Sequence, residues 1–272
     1  MTTNFSVEPA FVGNTYPAFA VHYRPAGIPR AHIIYLPPFA EEMNRCRAIV
    51  AEQARWFAQS GFSCATVDFY GTGESFGELR DATIPIWHHN ISDLITSLTD
   101  QSDVPVYLWG CRLGALIAMD YLQSRTKTCQ KLLLWQPVVS GKLFVTQMLR
   151  QRIAALMERG APPETTTDIR TRLAGGETIE VAGYSLGGEL ISQLDQLDMA
   201  GMGDRVADAI IWLEHSMDGS GTPNPKTAST IALLEQAGTN VTYHSFTGPP
   251  IWQLHERDTC VSLLASTQAA GL

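Results

Sequence analysis

Among the residues whose type and spacing could do chemistry, Gly110-Cys111-Arg112-Leu113-Gly114 comes first. An apolar run, Val104 to Trp109, leads into it, and an apolar helical stretch leaves it. Strand, glycine-flanked tip and helix are the arrangement of G-x-S-x-G, in which a strained turn presents the middle residue as a nucleophile. The middle residue here is Arg112. A guanidinium stays protonated at any working pH and cannot attack a carbonyl, but its planar fork suits a carboxylate or a phosphate. That partner belongs either to a ligand or to Glu41 or Glu42 of the facing loop, in which case Arg112 forms an internal ion pair.

Other candidates fall around this tip. Cys111 is the only reactive-type side chain beside it and stays in the catalytic set, although the residue before such a tip points away from the pocket, as a buried inert thiol would. A hydrolytic triad needs an acid and then a histidine after the tip. Asp218, in Glu214-His-Ser-Met-Asp218-Gly, and His255, in Gly248-Pro-Pro-Ile-Trp-Gln-Leu-His255, come in that order. Asp218 also reads as a plain Asp-Gly turn, and the usual histidine position lies nearer Trp252. His215 is a weaker alternative base. Main-chain N–H groups of Phe39 and Leu113 are the expected oxyanion donors. Phe39, Glu41, Glu42 and Leu113 therefore form the expected substrate-binding set. A literal G-x-S-x-G occurs at Gly183-Tyr184-Ser185-Leu186-Gly187, but the Glu177–Ala182 stretch before it alternates polar and apolar, unlike a central parallel strand.

Composition narrows the partners. A net charge of −8 argues against nucleic acid or an anionic membrane. No apolar run is long enough to span a bilayer, and the N-terminus shows no signal peptide, so a cytoplasmic protein acting on a small acyl or anionic molecule is expected. The five cysteines show no zinc spacing and read as reduced core thiols. No metal site and no cofactor is expected.

The elements that must position these residues alternate. Phe19–Tyr23 suggests a hairpin strand, His32–Leu36 a strand buried on both faces, 44–60 a helix closed by Gly61, and Ser63–Val67 another strand. Asp68-Phe-Tyr-Gly71-Thr-Gly73-Glu-Ser75 then resembles a structural turn common in α/β-hydrolases. A helix near 85–100 precedes the tip strand, and Lys131–Trp135 follows the tip helix. Strands at 208–213 and 240–246, with helices near 226–237 and 256–268, complete the pattern. Such alternation implies a mostly parallel central sheet flanked by helices. With the glycine-flanked tip and the Asp68 turn, the pattern resembles the α/β-hydrolase fold with a helical cap insertion. The expected division is core at 1–135 and 205–272, with the cap at 136–204.

Four blocks carry a more specific resemblance. Pro38-Phe-Ala-Glu-Glu-Met-Asn44, Leu108-Trp-Gly-Cys-Arg-Leu-Gly-Ala115, Leu133-Leu-Trp-Gln-Pro-Val138 with Ser140-Gly-Lys142, and Val181-Ala-Gly-Tyr184 resemble the second hydrolase type associated with the exosortase A system. The resemblance implies a cytoplasmic bacterial protein of the α/β-hydrolase superfamily. It also implies a genomic setting of exopolysaccharide synthesis and of sorting by a C-terminal Pro-Glu-Pro signal. Arginine at the tip belongs to that group's pattern, whereas Pro37 and Cys111 stand where histidine and leucine are commoner. Two functions follow as expectations: an ester or other acyl hydrolase using a carboxylate-activated water beside Arg112, or a catalytically degenerate protein that binds an anionic ligand or a partner segment through Arg112.

Overall fold

A computed structural model describes residues 5–100, 103–125, 129–160, 162–202, 206–217, 219–254 and 259–272. Five strands that are mostly apolar, β3 (His32–Leu36), β4 (Ser63–Val67), β5 (Val106–Cys111), β6 (Cys129–Trp135) and β9 (Ala207–His215), form the centre of an eight-stranded sheet. All five residues of β3 are buried, as a strand covered on both faces requires. The order is β1-β2-β4-β3-β5-β6-β9-β10, with β1 (Phe5–Val12) and β2 (Ala18–Pro25) as an antiparallel hairpin at one edge and β10 (Asn240–Phe246) at the other. From β4 to β10 every neighbour is parallel. Parallel neighbours need crossovers, and the helices supply them.

Helices α1 (Glu41–Gln59) and α8 (Val261–Ala269) cover one face, while α2 (Ile84–Thr99), α3 (Leu113–Gln123) and α7 (Pro225–Gln236) cover the other. Beneath α1, Trp109 meets Trp135 at 4.6 Å, Tyr35 at 4.5 Å and Phe57 at 5.5 Å between ring centroids. Such pairs contribute about 1 kcal/mol each beyond their area burial and hold β3 and β5 rigidly beneath the site.

Between β6 and β9 the chain forms α4 (Gly141–Glu158), α5 (Thr166–Ala174), a two-stranded hairpin of β7 (Ile179–Val181) and β8 (Tyr184–Leu186), and α6 (Gly188–Gln196). Thr165 and Asp168 close a capping box on α5. The literal G-x-S-x-G lies here. Ser185 sits inside β8, paired with Glu180 across the hairpin, and the junction to α6 comes after it, at Gly187, in extended backbone and not in a strained tip.

The Asp68 turn is structural. Arg47 and the Glu74 N–H both bond to Asp68 Oδ2, at 2.8 and 3.0 Å, and the Ser75 hydroxyl donates to the Asp68 carbonyl. One boundary differs from expectation: α1 begins at Glu41, so Glu41 and Glu42 form a helical first turn, not a loop. Ala40 takes φ 52°, which turns the chain directly into the helix, and two carboxylates at that end complement the helix dipole.

Two measurements test this packing. All five cysteines are free and buried. An aromatic disulfide reagent should therefore titrate no thiol in the native protein within minutes and five after denaturation. His22 on β2 is buried, and burial, then the Arg24 charge, push its imidazole down to about 4. Between pH 6.5 and 4 the unfolded chain takes up a proton that the fold refuses, so stability falls as pH drops through that window. His22→Leu should remove about 1–2 kcal/mol of that acid dependence in denaturant titrations.

Candidate active site

Helix α3 starts one residue after the tip, and the tip backbone is strained. Arg112 has φ 54° and ψ −118°, a region that costs a non-glycine residue about 1–3 kcal/mol. Three hydrogen bonds pin it: the Arg112 N–H donates to Trp135 O at 2.9 Å, and its carbonyl accepts from Ala115 and Val138, each at 3.1 Å. The flanking glycines allow the close approach. A Cβ at Gly110 would stand 2.4 Å from Ala115 Cα, and one at Gly114 would stand 2.2 Å from the Leu36 carbonyl oxygen. Ala40, at φ 52° and ψ −124°, repeats the same turn between β3 and α1. Two helices thus begin side by side at the carboxyl edge of the sheet.

A cavity of about 450 Å³ opens there. Its floor is Phe39, Ala40, Glu41, Glu42, Arg45 and Arg112, and its roof comes from α4 and the β7–β8 hairpin through Phe144, Gln147, Met148, Gln151, Val181, Ala182, Tyr184 and Leu186. Trp252 and Gln253, after β10, complete the wall. Glu42 grips Arg112 with both oxygens: Nη2 reaches Oε1 at 2.9 Å, and Nε reaches Oε2 at 3.2 Å and Oε1 at 3.3 Å. The pair is only partly solvated, at 16% and 21% side-chain exposure, so it is screened less than a surface pair. The Trp252 ring lies 5.3 Å from Arg112 Cζ, within cation–π range.

A second set of contacts closes the roof onto the floor. The Tyr184 hydroxyl donates to Glu41 Oε2 at 3.3 Å and accepts from Asn44 Nδ2 at 2.9 Å. Burial, then the Glu41 charge, hold that phenol above its ordinary value, so it stays a donor. Arg45 approaches Glu41 at 3.8 Å and donates to the carbonyls of Trp252 and Gln253 at 3.3 and 3.1 Å, which fixes the Trp252 loop over the tip.

The expected site residues separate into groups. Arg112, Glu41, Glu42 and Phe39 share the cavity. Leu113 is buried as the first residue of α3, with its side chain outside the cavity wall. Cys111 is not brought to the cavity. It ends β5 on the α1 face, next to Cys46, whose thiol is pushed up by its hydrogen bond to Cys111 and by burial. The alternation of a strand explains this: residues 109 and 111 point to one face, and the chain turns before 112. Asp218 and His255 lie outside the described residues. His215 is not part of the cavity wall, and its Nε2–H donates to Gly248 O at 2.6 Å. Sequence reasoning missed Tyr184, Arg45 and the α4 face. The available signals were the i, i+3, i+4, i+7 spacing of Phe144, Gln147, Met148 and Gln151, and the Val181–Tyr184 block for Tyr184.

Comparisons with known proteins place this geometry. Over 88 residues the chain is 30% identical to the mitochondrial palmitoyl-protein thioesterase ABHD10 of Homo sapiens and of Pongo abelii, a match that covers 32% of this chain and 27% of those proteins. The chain therefore spans just over a quarter of the curated relatives it matches. Among solved structures, DcsB in complex with its substrate analogue superposes with a TM-score of 0.64 at 14% identity, covering 97% of this chain and 98% of that one. Est1E from Butyrivibrio proteoclasticus with bound ferulic acid gives 0.64 at 15% identity, with 95% and 96% covered. ABHD10 from mouse gives 0.57 at 14%, with 97% and 98% covered. These structures share the α/β-hydrolase fold with this chain. No helix of the described residues is long and apolar enough to cross a membrane. Residues 27–192, more than half of the sequence, match the hydrolase family described as serine aminopeptidase, S33, and the chain belongs to that family.

Proposed function

We propose that the chain is an acyl or ester hydrolase of the second type associated with the exosortase A system, working without a covalent acyl-enzyme. The carrying observation is Arg112. It holds the strained tip between β5 and α3, where G-x-S-x-G proteins present their nucleophile, and its guanidinium lies in the cavity. With Nε and Nη2 held by Glu42, the guanidinium serves a developing oxyanion as a hydrogen-bond donor through its remaining N–H groups and not as a free charge, aided by the first N–H groups of α3 at Leu113 and of the Phe39 turn. Water then has to be the attacking group. Of the two cavity carboxylates, Glu42 has both oxygens committed to Arg112, whereas Glu41 keeps only longer contacts, at 3.3 and 3.8 Å. Glu41 accordingly takes the proton as water attacks the acyl carbon and returns it to the departing alcohol or thiol. Asp218 and His255 remain in the proposed set as a further carboxylate and a proton carrier following the tip in triad order. The segment 136–204 acts as the cap over this site. A cytoplasmic setting beside exopolysaccharide synthesis rests on the four sequence blocks.

A second reading, a binding protein that retains an acyl ligand without turnover, is favoured by one observation. Trp252, whose indole cannot serve as an acid or base at working pH, covers Arg112, and the ion pair fills the nucleophile's place. A fluorophosphonate probe combined with hydrolysis of short acyl esters and thioesters separates the readings. Wild type should resist labelling yet hydrolyse esters, and Glu41→Gln and Arg112→Gln should each lower kcat/KM about tenfold or more. Labelling abolished by Ser185→Ala or Cys111→Ala would overturn the non-covalent route, and retained ligand binding with no turnover would establish the second reading.

A further inference from the structure

Arg112 invites an anionic ligand on paper, but among the described residues the cavity wall carries no net charge to attract one. Among the described residues, the two cations of its wall, Arg45 and Arg112, are matched by two anions, Glu41 and Glu42. Arg112 is gripped at 2.9 Å by Glu42, and Arg45 faces Glu41 at 3.8 Å while bonding two carbonyls. Both carboxylates belong to the first turn of α1, where the helix dipole favours them and the backbone keeps them in place. A ligand carboxylate or phosphate approaching Arg112 would therefore meet two fixed negative charges and would have to displace Glu42 without gaining net attraction.

The rest of the described wall is uncharged but has two characters. Phe144 and Met148 present apolar surface from α4, and Gln147 and Gln151 on the same helix offer primary amides that both donate and accept. We infer that the ligand of this cavity is an uncharged acyl compound whose non-acyl part carries hydroxyl or amide groups, and that the Arg112–Glu42 pair excludes free carboxylates and phosphates. The inference rests on the cavity being the ligand site and holds whether or not the ligand is turned over.

Calorimetric binding of two probes tests it: the hexanoyl amide of aminopropanediol, which is neutral and resists hydrolysis, and hexanoate. Wild type should bind the amide at least about tenfold more tightly than hexanoate, with an affinity that does not change between low and high ionic strength. Gln147→Leu combined with Gln151→Leu should weaken the amide about tenfold. Glu42→Gln, whose folding is checked by thermal denaturation, should create salt-sensitive hexanoate binding by releasing the Arg112 charge. Tighter binding of hexanoate by wild type, or binding of neither probe, would overturn the inference. Binding of the amide together with inertness toward the monohexanoyl ester of glycerol would instead sink the hydrolytic reading and leave this one standing.

Discussion

The site depends on a backbone held at φ 54° between a buried strand and a buried helix. That conformation is unfavourable for any residue with a Cβ and persists because the surroundings over-determine it. The Trp135 carbonyl and the Val138 N–H clamp the tip from β6 and from the chain beyond it, and glycines on either side let α3 rest on β3 and β5 at contact distance. A side chain on such a turn is aimed at the cavity whatever its chemistry. Arginine there can either repel its surroundings or be neutralised by them, and Glu42 neutralises it with both oxygens.

That neutralisation organises the floor of the cavity. Because α1 opens with the same kind of turn as α3, its two acidic residues come within reach of two arginines, and Arg45 in turn anchors the loop that places Trp252 over Arg112. Tyr184 then ties the β7–β8 hairpin to Glu41 and Asn44. Three regions far apart in sequence are joined through polar groups that balance one another. Among the described residues, the result is a cavity whose charged floor is balanced, under a roof that mixes apolar side chains with the amides of Gln147 and Gln151.

Much of the fold was legible because continuous apolar runs such as His32–Leu36 and Ile210–Leu213 have one home in an α/β protein, the buried centre of a parallel sheet. The same reasoning separated the tip at Arg112 from the decoy at Ser185, since only the former follows such a run. The start of α1 was misread because a positive φ at alanine leaves no trace in local propensity, and so the first-turn setting of Glu41 and Glu42 was hidden. Trp252 was marked only as the neighbourhood of the usual histidine, and its ring contact with Arg112 was hidden because it spans 140 positions and depends on how a loop after β10 is anchored. The cavity face of α4 was written in its helical spacing, but spacing alone does not say which face meets a ligand.

The central claim is that the Arg112–Glu42 pair, and not a nucleophile, is the built feature of the tip. A double-mutant cycle on unfolding free energy, with Arg112→Met, Glu42→Gln and the two combined, tests it most directly. Each single change leaves a partly buried charge without its partner, so the double variant should lose less than the sum by about 1–2 kcal/mol. Costs that simply add would show that the two side chains do not act as a unit, and would contradict the account.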